Sequence, residues 1–427
     1  MHKRFAVLIL SSILTAFILT GCFDAREIDD EVYAVSIGVD KGKRERLRLT
    51  IQYPTYKGPG GVESSGGSSD QDNKKAQSDS IVHTIEAPTM LEAIDMLSTT
   101  ISRRVSLIHA KWVIFSEEFA REGIEGYIAG LERFKETRPS MSIVVVRGTA
   151  EEFITENQSS IGGSLSKSIE LLLSQSKFTG FFPMVKFMDF HKAMISTYRC
   201  PIALYGGLNR FEYDTDPSAD KRGRKGLLPG EVFRSGTIKR ELAGMAVFHG
   251  GKMIGYLDAY ETAAYLLIIG KYRSGLMSIP DKYSPEHNII FDIHKSRSPR
   301  VKAYFRDGIP VIDLALNLEA EIYAIQSETM YEQPDLSLDL ENQISEYLLT
   351  SIRHTLEKTQ KELKADIFGF GAHVAGNFFT IEEWEAYDWL KKFPDAVINP
   401  SVTVKVRRTG SIFQTYKKVR SMMGDKE

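Results

Sequence analysis

The chain of 427 residues is 42 % hydrophobic and 26 % charged, which allows sizeable buried cores and excludes a disordered or fibrous protein. Its 54 basic and 56 acidic residues leave a net charge of −2, so no global basic excess points to nucleic acid. Only two cysteines are present, Cys22 and Cys200. If the first is modified, neither an internal disulfide nor a cysteine-based zinc site can form.

Met1 to Arg4 is a short basic start, and Phe5 to Leu19 is apolar or small without charge. That run is about fifteen residues, short of the roughly twenty a spanning helix requires. Basic start, apolar core and small residues before a break are the layout of a secretory signal. Leu19-Thr20-Gly21-Cys22 is an aliphatic residue, two small ones and a cysteine, the pattern of a bacterial lipoprotein signal. The expectation is that residues 1–21 are removed between Gly21 and Cys22. Cys22 is then kept with an S-diacylglycerol group, and its new amino terminus is open to an N-palmitoyl group. Each buried methylene contributes about 0.8 kcal/mol, and two acyl chains hold stably where one binds marginally. An ordinary cleaved signal or an uncleaved anchor are the alternatives. Loss of Lys3 and Arg4 would leave 52 basic against 56 acidic residues, a net of −4.

Alternation begins at Tyr33, Val35, Ile37 and Val39 and resumes at Leu47, Leu49, Ile51 and Tyr53, which predicts a hairpin. Residues 57–80 are rich in Gly, Ser and charge and nearly free of apolar residues, so a mobile loop is expected. A short strand follows at Ile81. Thr89 to Glu92 has the form of a capping box, opening a helix with Ala93, Ile94, Leu97 and Ile101 on one stripe. "SLIHAKWVIF" predicts a strand, Ser116 a helix cap with Glu117 and Glu118 against the positive helix end, and "SMSIVVVRG" a central strand buried on both faces. These elements predict a first α/β domain over residues 22–148.

Thr149 to Glu152 is a second capping box, and residues 149–285 are expected to form a middle domain. It opens with a helical stretch over about Glu151 to Ser196 and carries a basic loop over 210–240. "GMAVFHGGKMIGYLD" predicts two short strands around Gly250-Gly251, and a helix follows near Thr262. Residues 286–410 are expected to form the last domain, with strands near Asn288–His294, Val301–Arg306 and Val311–Tyr323. A long helix is predicted from about Leu338 to Asp366, striped by Ile344, Leu348, Ile352, Leu356 and Leu363, with Glu357 set to pair Lys361. Thr380 to Glu383 is a third capping box, "PSVTVKVRRTG" a closing strand, and 411–427 a basic tail.

His287 and His294 lack a metal-ligand spacing. "GFGAHVAG" (Gly369 to Gly376) follows a helix where a phosphate loop would follow a strand, and a helix exit at positive φ accounts better for Gly369 and Gly371. The pairs Glu117-Glu118, Glu151-Glu152 and Glu382-Glu383 stand at helix starts, where the dipole accounts for them. No Walker lysine and no GxSxG elbow occur. Catalytic, cofactor-binding and metal sites are therefore not expected, nor is any cofactor. Cys200 reads as a buried small hydrophobe. Lys221–Arg240 has seven basic residues and one acid, and Lys405–Glu427 seven and two. Solvated surface and contact with anionic lipid headgroups are both open for these segments.

Several ordered motifs resemble one family, the Ger(x)C lipoproteins, C subunits of nutrient germinant receptors in bacterial spores. They are "GCFDAREIDDEVYAVSIGVDKG", "HAKWVIFSEEFAREGI" with "RPSMSIVVVRGTAEE", "GTIKRELAGMAVFHGGKMIGYLDAYET", and "LKADIFGFG" followed by "VTVKVRRTG". Phe23 stands where the family usually has tryptophan, which keeps an aromatic at the interface, and the 57–80 loop is long for the family. The resemblance implies a three-domain α+β body, each domain a mixed sheet surrounded by helices, on an N-terminal lipid tether through Cys22. It implies a non-enzymatic subunit at the outer face of the spore inner membrane, assembled with integral-membrane A and B subunits. That assembly would be needed for germination in response to small nutrients such as amino acids or sugars. The alternatives are a lipoprotein that itself binds a small solute for an envelope transporter, and an envelope enzyme.

Overall fold

The computed structural model describes residues 4–6, 9, 11, 27, 30–55, 80–156, 164–211 and 226–408. Gly21 and Cys22, the stretch 56–79, the basic residues 221–225 and the tail 411–427 lie outside the described residues.

The first half of the chain builds one large sheet. Short β1 (Glu31–Tyr33) leads to β2 (Ser36–Lys41) and β3 (Leu47–Pro54), followed by β4 (Ser80–Ala87) and helix α1 (Met90–Leu97). Then come β5 (Arg104–Ser106), β6 (Trp112–Ser116), α2 (Glu117–Glu122), α3 (Glu125–Arg133) and β7 (Ser142–Val146). Helices α4 (Ala150–Thr155), α5 (Leu165–Ser174), α6 (Ser176–Thr179) and α7 (Phe187–Met194) precede β8 (Ile202–Leu208), and β9 (Arg240–His249) and β10 (Lys252–Leu257) close the half. Among the described residues the strand order is β10-β9-β8-β7-β6-β2-β3-β4. Strands β2, β6, β7 and β8 are parallel, and an antiparallel pair continues the sheet at each edge. Parallel central strands are covered on both faces, and all five residues of Ser142–Val146 are buried as their apolar run predicts.

Helix α8 (Ala259–Ile268) crosses to the second sheet. That sheet holds β11 (Leu276–Pro280), β12 (Asn288–Lys295), β13 (Arg300–Arg306) and β14 (Ile309–Ile325). After α9 (Pro334–Glu357), α10 (Gly371–Val374), α11 (Ile381–Tyr387) and α12 (Trp389–Lys392), β15 (Val397–Arg408) completes it. The 17-residue β14 is its spine: β13 and then β12 pair along one edge and β15 runs parallel along the other. Alternation places Ile312, Leu314, Leu316, Leu318, Ala320 and Ile322 on the buried face, against the α9 stripe of Leu340, Ile344, Leu348, Ile352 and Leu356.

The α+β class expected from the sequence is the class observed. Strand pairing, however, runs across both expected domain limits. Beyond Gly148, β8–β10 continue the sheet begun by β2, and β11, ahead of residue 285, already belongs to the second sheet. Helix caps and polar linkers mark where the chain turns, and carry no record of which strands pair. Strand β9 shows how the halves meet: Ala246 and Phe248 face the first core, and Met245 and Val247 face the second.

Local signals differ in detail. Tyr33 lies in β1, which pairs β5, and the hairpin proper starts at Ser36. The "SLIHAKWVIF" segment is broken by a turn between β5 and β6. At Thr89, Thr149 and Thr380 the threonine oxygen accepts from the expected amide. The full reciprocal box, however, forms at Asp258–Glu261, and Glu383 accepts from Phe379. Ser116 makes no cap bond, and its hydroxyl serves Asp40. The long helix ends sooner than expected: a π-helical turn, Lys358–Glu362, follows α9, and Lys364 at φ 50° turns the chain away before Asp366.

Candidate functional site: the seam between the two sheets

The segment "LKADIFGFG" folds around one side chain. Asp366 is fully buried. Its Oδ1 accepts from the amides of Phe368 (3.0 Å) and Gly369 (2.9 Å), and its Oδ2 from the amide of Gly371 (2.8 Å) and Trp389 Nε1 (2.8 Å). Burial pushes its carboxyl above the ordinary range, while Trp389 and the loop amides pull it back. The glycine-rich loop thus does cradle an anion, and the anion is the chain's own. Gly369 has the expected positive φ (79°), but within the loop ahead of α10 and not at a helix exit, which Lys364 makes at φ 50°. Gly371 does not share that reason: a Cβ there would meet Trp389 Cδ1 and the Tyr198 carbonyl at 2.5 Å, so close packing requires glycine.

This loop fastens the second sheet to the first. The Asp366 carbonyl accepts from the Cys200 amide (2.6 Å), just ahead of β8. Trp384 Nε1 donates to Thr197 Oγ1 (2.9 Å), and its ring stacks on Tyr198 at 5.3 Å. Cys200 is buried as expected, and burial, with the Asp366 charge beside it, pushes its thiol up to about 12. A thiol held neutral is a packing group.

A second fastening is ionic. Lys358 Nζ lies 2.9 and 2.7 Å from the two oxygens of Glu261, whose side chain is 7 % exposed, and 5.4 Å from the Tyr256 ring. His354 Nε2 is 3.2 Å from the same carboxylate. Tyr256 stacks on Tyr205, whose hydroxyl donates to Glu117 (2.5 Å).

The remaining candidates fall into structural roles. Glu117 pairs Arg121 besides Tyr205, Glu118 pairs Lys41, Glu151 pairs Arg48, and Glu152 pairs Arg210. His294 lies 3.7 Å from Asp292 and 3.8 Å from Glu321, whereas His287 neighbours Glu286 (3.2 Å), so the two histidines share no site. In the described part of the basic loop, Arg234 donates to Glu241 (2.6 Å), and Arg240 is buried and donates to Ser168 (3.2 Å). Those two arginines are tied internally. Among the described residues, no helix is long and apolar enough to cross a membrane.

Fold and seam define an α+β scaffold whose glycine-rich loop and charged clusters tie its own elements together. Comparison with known proteins gives its kin. The sequence pattern described as "Spore germination protein N-terminal domain" matches residues 24–207, and that described as "Spore germination B3/GerAC like, C-terminal" matches residues 243–410. The chain belongs to this family of spore germination proteins. It is 24 % identical over 408 residues to the putative spore germination protein YfkR of Bacillus subtilis (strain 168), covering 94 % of this chain and 96 % of the relative. It is 22 % identical over 420 residues to spore germination protein KC of the same organism, covering 95 % and 96 %. A crystal structure of the GerBC protein is 17 % identical with a TM-score of 0.48, covering 87 % of this chain and 96 % of that one.

Proposed function

We propose that the protein is a non-enzymatic, lipid-anchored subunit of a spore nutrient germinant receptor, acting beside integral-membrane A and B subunits at the outer face of the spore inner membrane. The observation that carries this reading is the family match over both halves of the chain, residues 24–207 and 243–410. The relatives' names supply the setting, since spore germination proteins KC and B3 of Bacillus subtilis both align over most of the chain. The sequence Leu19-Thr20-Gly21-Cys22 supplies the anchor. A body with no spanning helix among its described residues is held at a bilayer by two acyl chains far more firmly than by one. The body's role is then to hold membrane partners in a responsive arrangement.

The test is Cys22→Ala in spores whose own copy has been deleted. The expected result is protein lost from the membrane fraction and a germination response to nutrient reduced toward that of the deletion. Normal germination by unlipidated protein would overturn the reading.

A further inference from the structure

Beside the seam lies a cleft of about 660 Å³, walled by α6, α7 and the turn after α8. That volume is within the range of sites for small organic ligands. Its floor includes Tyr265, Cys200 and Ile367. The walls are propped against each other at one end. Gly180, at φ 64°, lets the chain lie against the Tyr272 ring, and Gly275 packs on the Thr179 carbonyl.

Two features set the cleft apart. Tyr265 is 6 % exposed as a residue and lines the cleft, and among the described residues no protein group takes its hydroxyl, which is left to the cleft. Other buried tyrosines spend their hydroxyls inside the protein: Tyr205 donates to Glu117, Tyr272 to the Gly275 carbonyl and Tyr331 to Asp281. The lining also carries Lys177, Arg199, Lys271, Arg273 and Lys295 against the single carboxylate of Asp189, a surplus of four positive charges in a chain whose net charge is −2. Other cations of the chain are neutralised by carboxylates, among them Lys111 by Glu170, Lys282 by Asp339 and Lys405 by Glu341. Among the described residues none of the five has a carboxylate within salt-bridge distance. Like charges gathered without partners around a concave, low-dielectric wall repel one another and concentrate an anion. A surplus of this size suits a dianion better than one carboxylate, and guanidinium groups match the oxygens of a phosphate in pairs.

We propose that this cleft binds a small ligand bearing a phosphate monoester, with the phosphate neutralised by Arg199 and the neighbouring lysines and arginine while the Tyr265 hydroxyl donates from the floor. The phosphate is that of a soluble ester or of a lipid headgroup. Calorimetric titration of the full chain with glycerol 3-phosphate, and flotation with phosphatidylcholine vesicles containing or lacking phosphatidic acid, test the site and separate the two sources. Saturable one-to-one binding to the soluble ester, or phosphatidic-acid-dependent flotation alone, supports the site and assigns its source. In either case Arg199→Gln is expected to weaken binding about tenfold or more, and Tyr265→Phe several-fold with the unfolding temperature unchanged, because no internal hydrogen bond is lost. Lys405→Gln, outside the cleft, is the control and leaves binding as it was. Binding by neither probe, or binding that both cleft variants leave intact, overturns the proposal.

Discussion

Asp366→Asn is the sharpest test of how the seam is built. The carboxylate offers two oxygens to four N–H donors at 2.8–3.0 Å, two donors on each oxygen. Asparagine keeps one oxygen, and its amide nitrogen must face the other two donors. Two hydrogen bonds to a charged acceptor contribute about 1.5–3 kcal/mol each. Their loss, about 3–6 kcal/mol, is partly offset because a neutral amide costs less to bury than a carboxylate. A net loss of about 2–4 kcal/mol is expected, and at about 2–4 °C per kcal/mol for a unit of 150–250 residues it lowers the unfolding temperature by roughly 5–15 °C. Urea unfolding monitored by tryptophan fluorescence reads the free energy. Near-ultraviolet circular dichroism reads the packing of Trp389, which loses its partner if the nitrogen takes the Oδ2 position. A loss below about 0.5 kcal/mol would refute the claim that Asp366 is the loop's organising group.

Three further outcomes are expected. Lys358→Met leaves the buried Glu261 carboxylate without its main partner and costs about 3 kcal/mol; adding Glu261→Gln recovers most of that loss in the same urea assay, and no recovery would show that the ion pair is not the cause. Asp281 is buried and accepts from Ser327, Tyr331 (2.7 Å) and the Tyr283 amide (2.8 Å). Burial alone would push its carboxyl up, but these bonds outweigh it and hold it below the ordinary value. A depressed folded value stabilises above the unfolded value near 3.9, and that stability is lost as pH falls through the folded value. Asp281→Asn should therefore flatten the acid limb of stability below about pH 4 and leave its shape at pH 6–8 unchanged. Gly371→Ala drives a methyl group into Trp389 and the Tyr198 carbonyl and is expected to cost about 1–3 kcal/mol, measured by thermal unfolding.

What the sequence disclosed follows from the range of the forces involved. Strands β2, β3, β7, β12, β14 and β15 were legible because alternation or a continuous apolar run is written within a few residues. The α9 stripe was legible because its period is local. Pairing across the chain was not. That β8 joins β7 after four intervening helices, or that Glu261 meets Lys358 at 97 residues' separation, is set by folding and leaves no local trace. The glycines of "GFGAHVAG" were visible as glycines, but their partner Asp366 stands just before them as an ordinary acid, and only burial with four donors reveals its role. Arg234 and Arg240 read as surface charge, solvated or facing lipid, because Glu241 and Ser168 gave no sign that they would lie alongside. Tyr265 was hidden within an apolar run, and no pattern marks a hydroxyl left without a partner.

Mass spectrometry of the amino-terminal peptide from protein extracted from spore membranes addresses the account most directly. A peptide beginning at Cys22 and carrying a diacylglyceryl mass on its sulfur is the expected result. A free thiol at Cys22, or a mature chain that begins elsewhere, would contradict a lipid-anchored germination subunit.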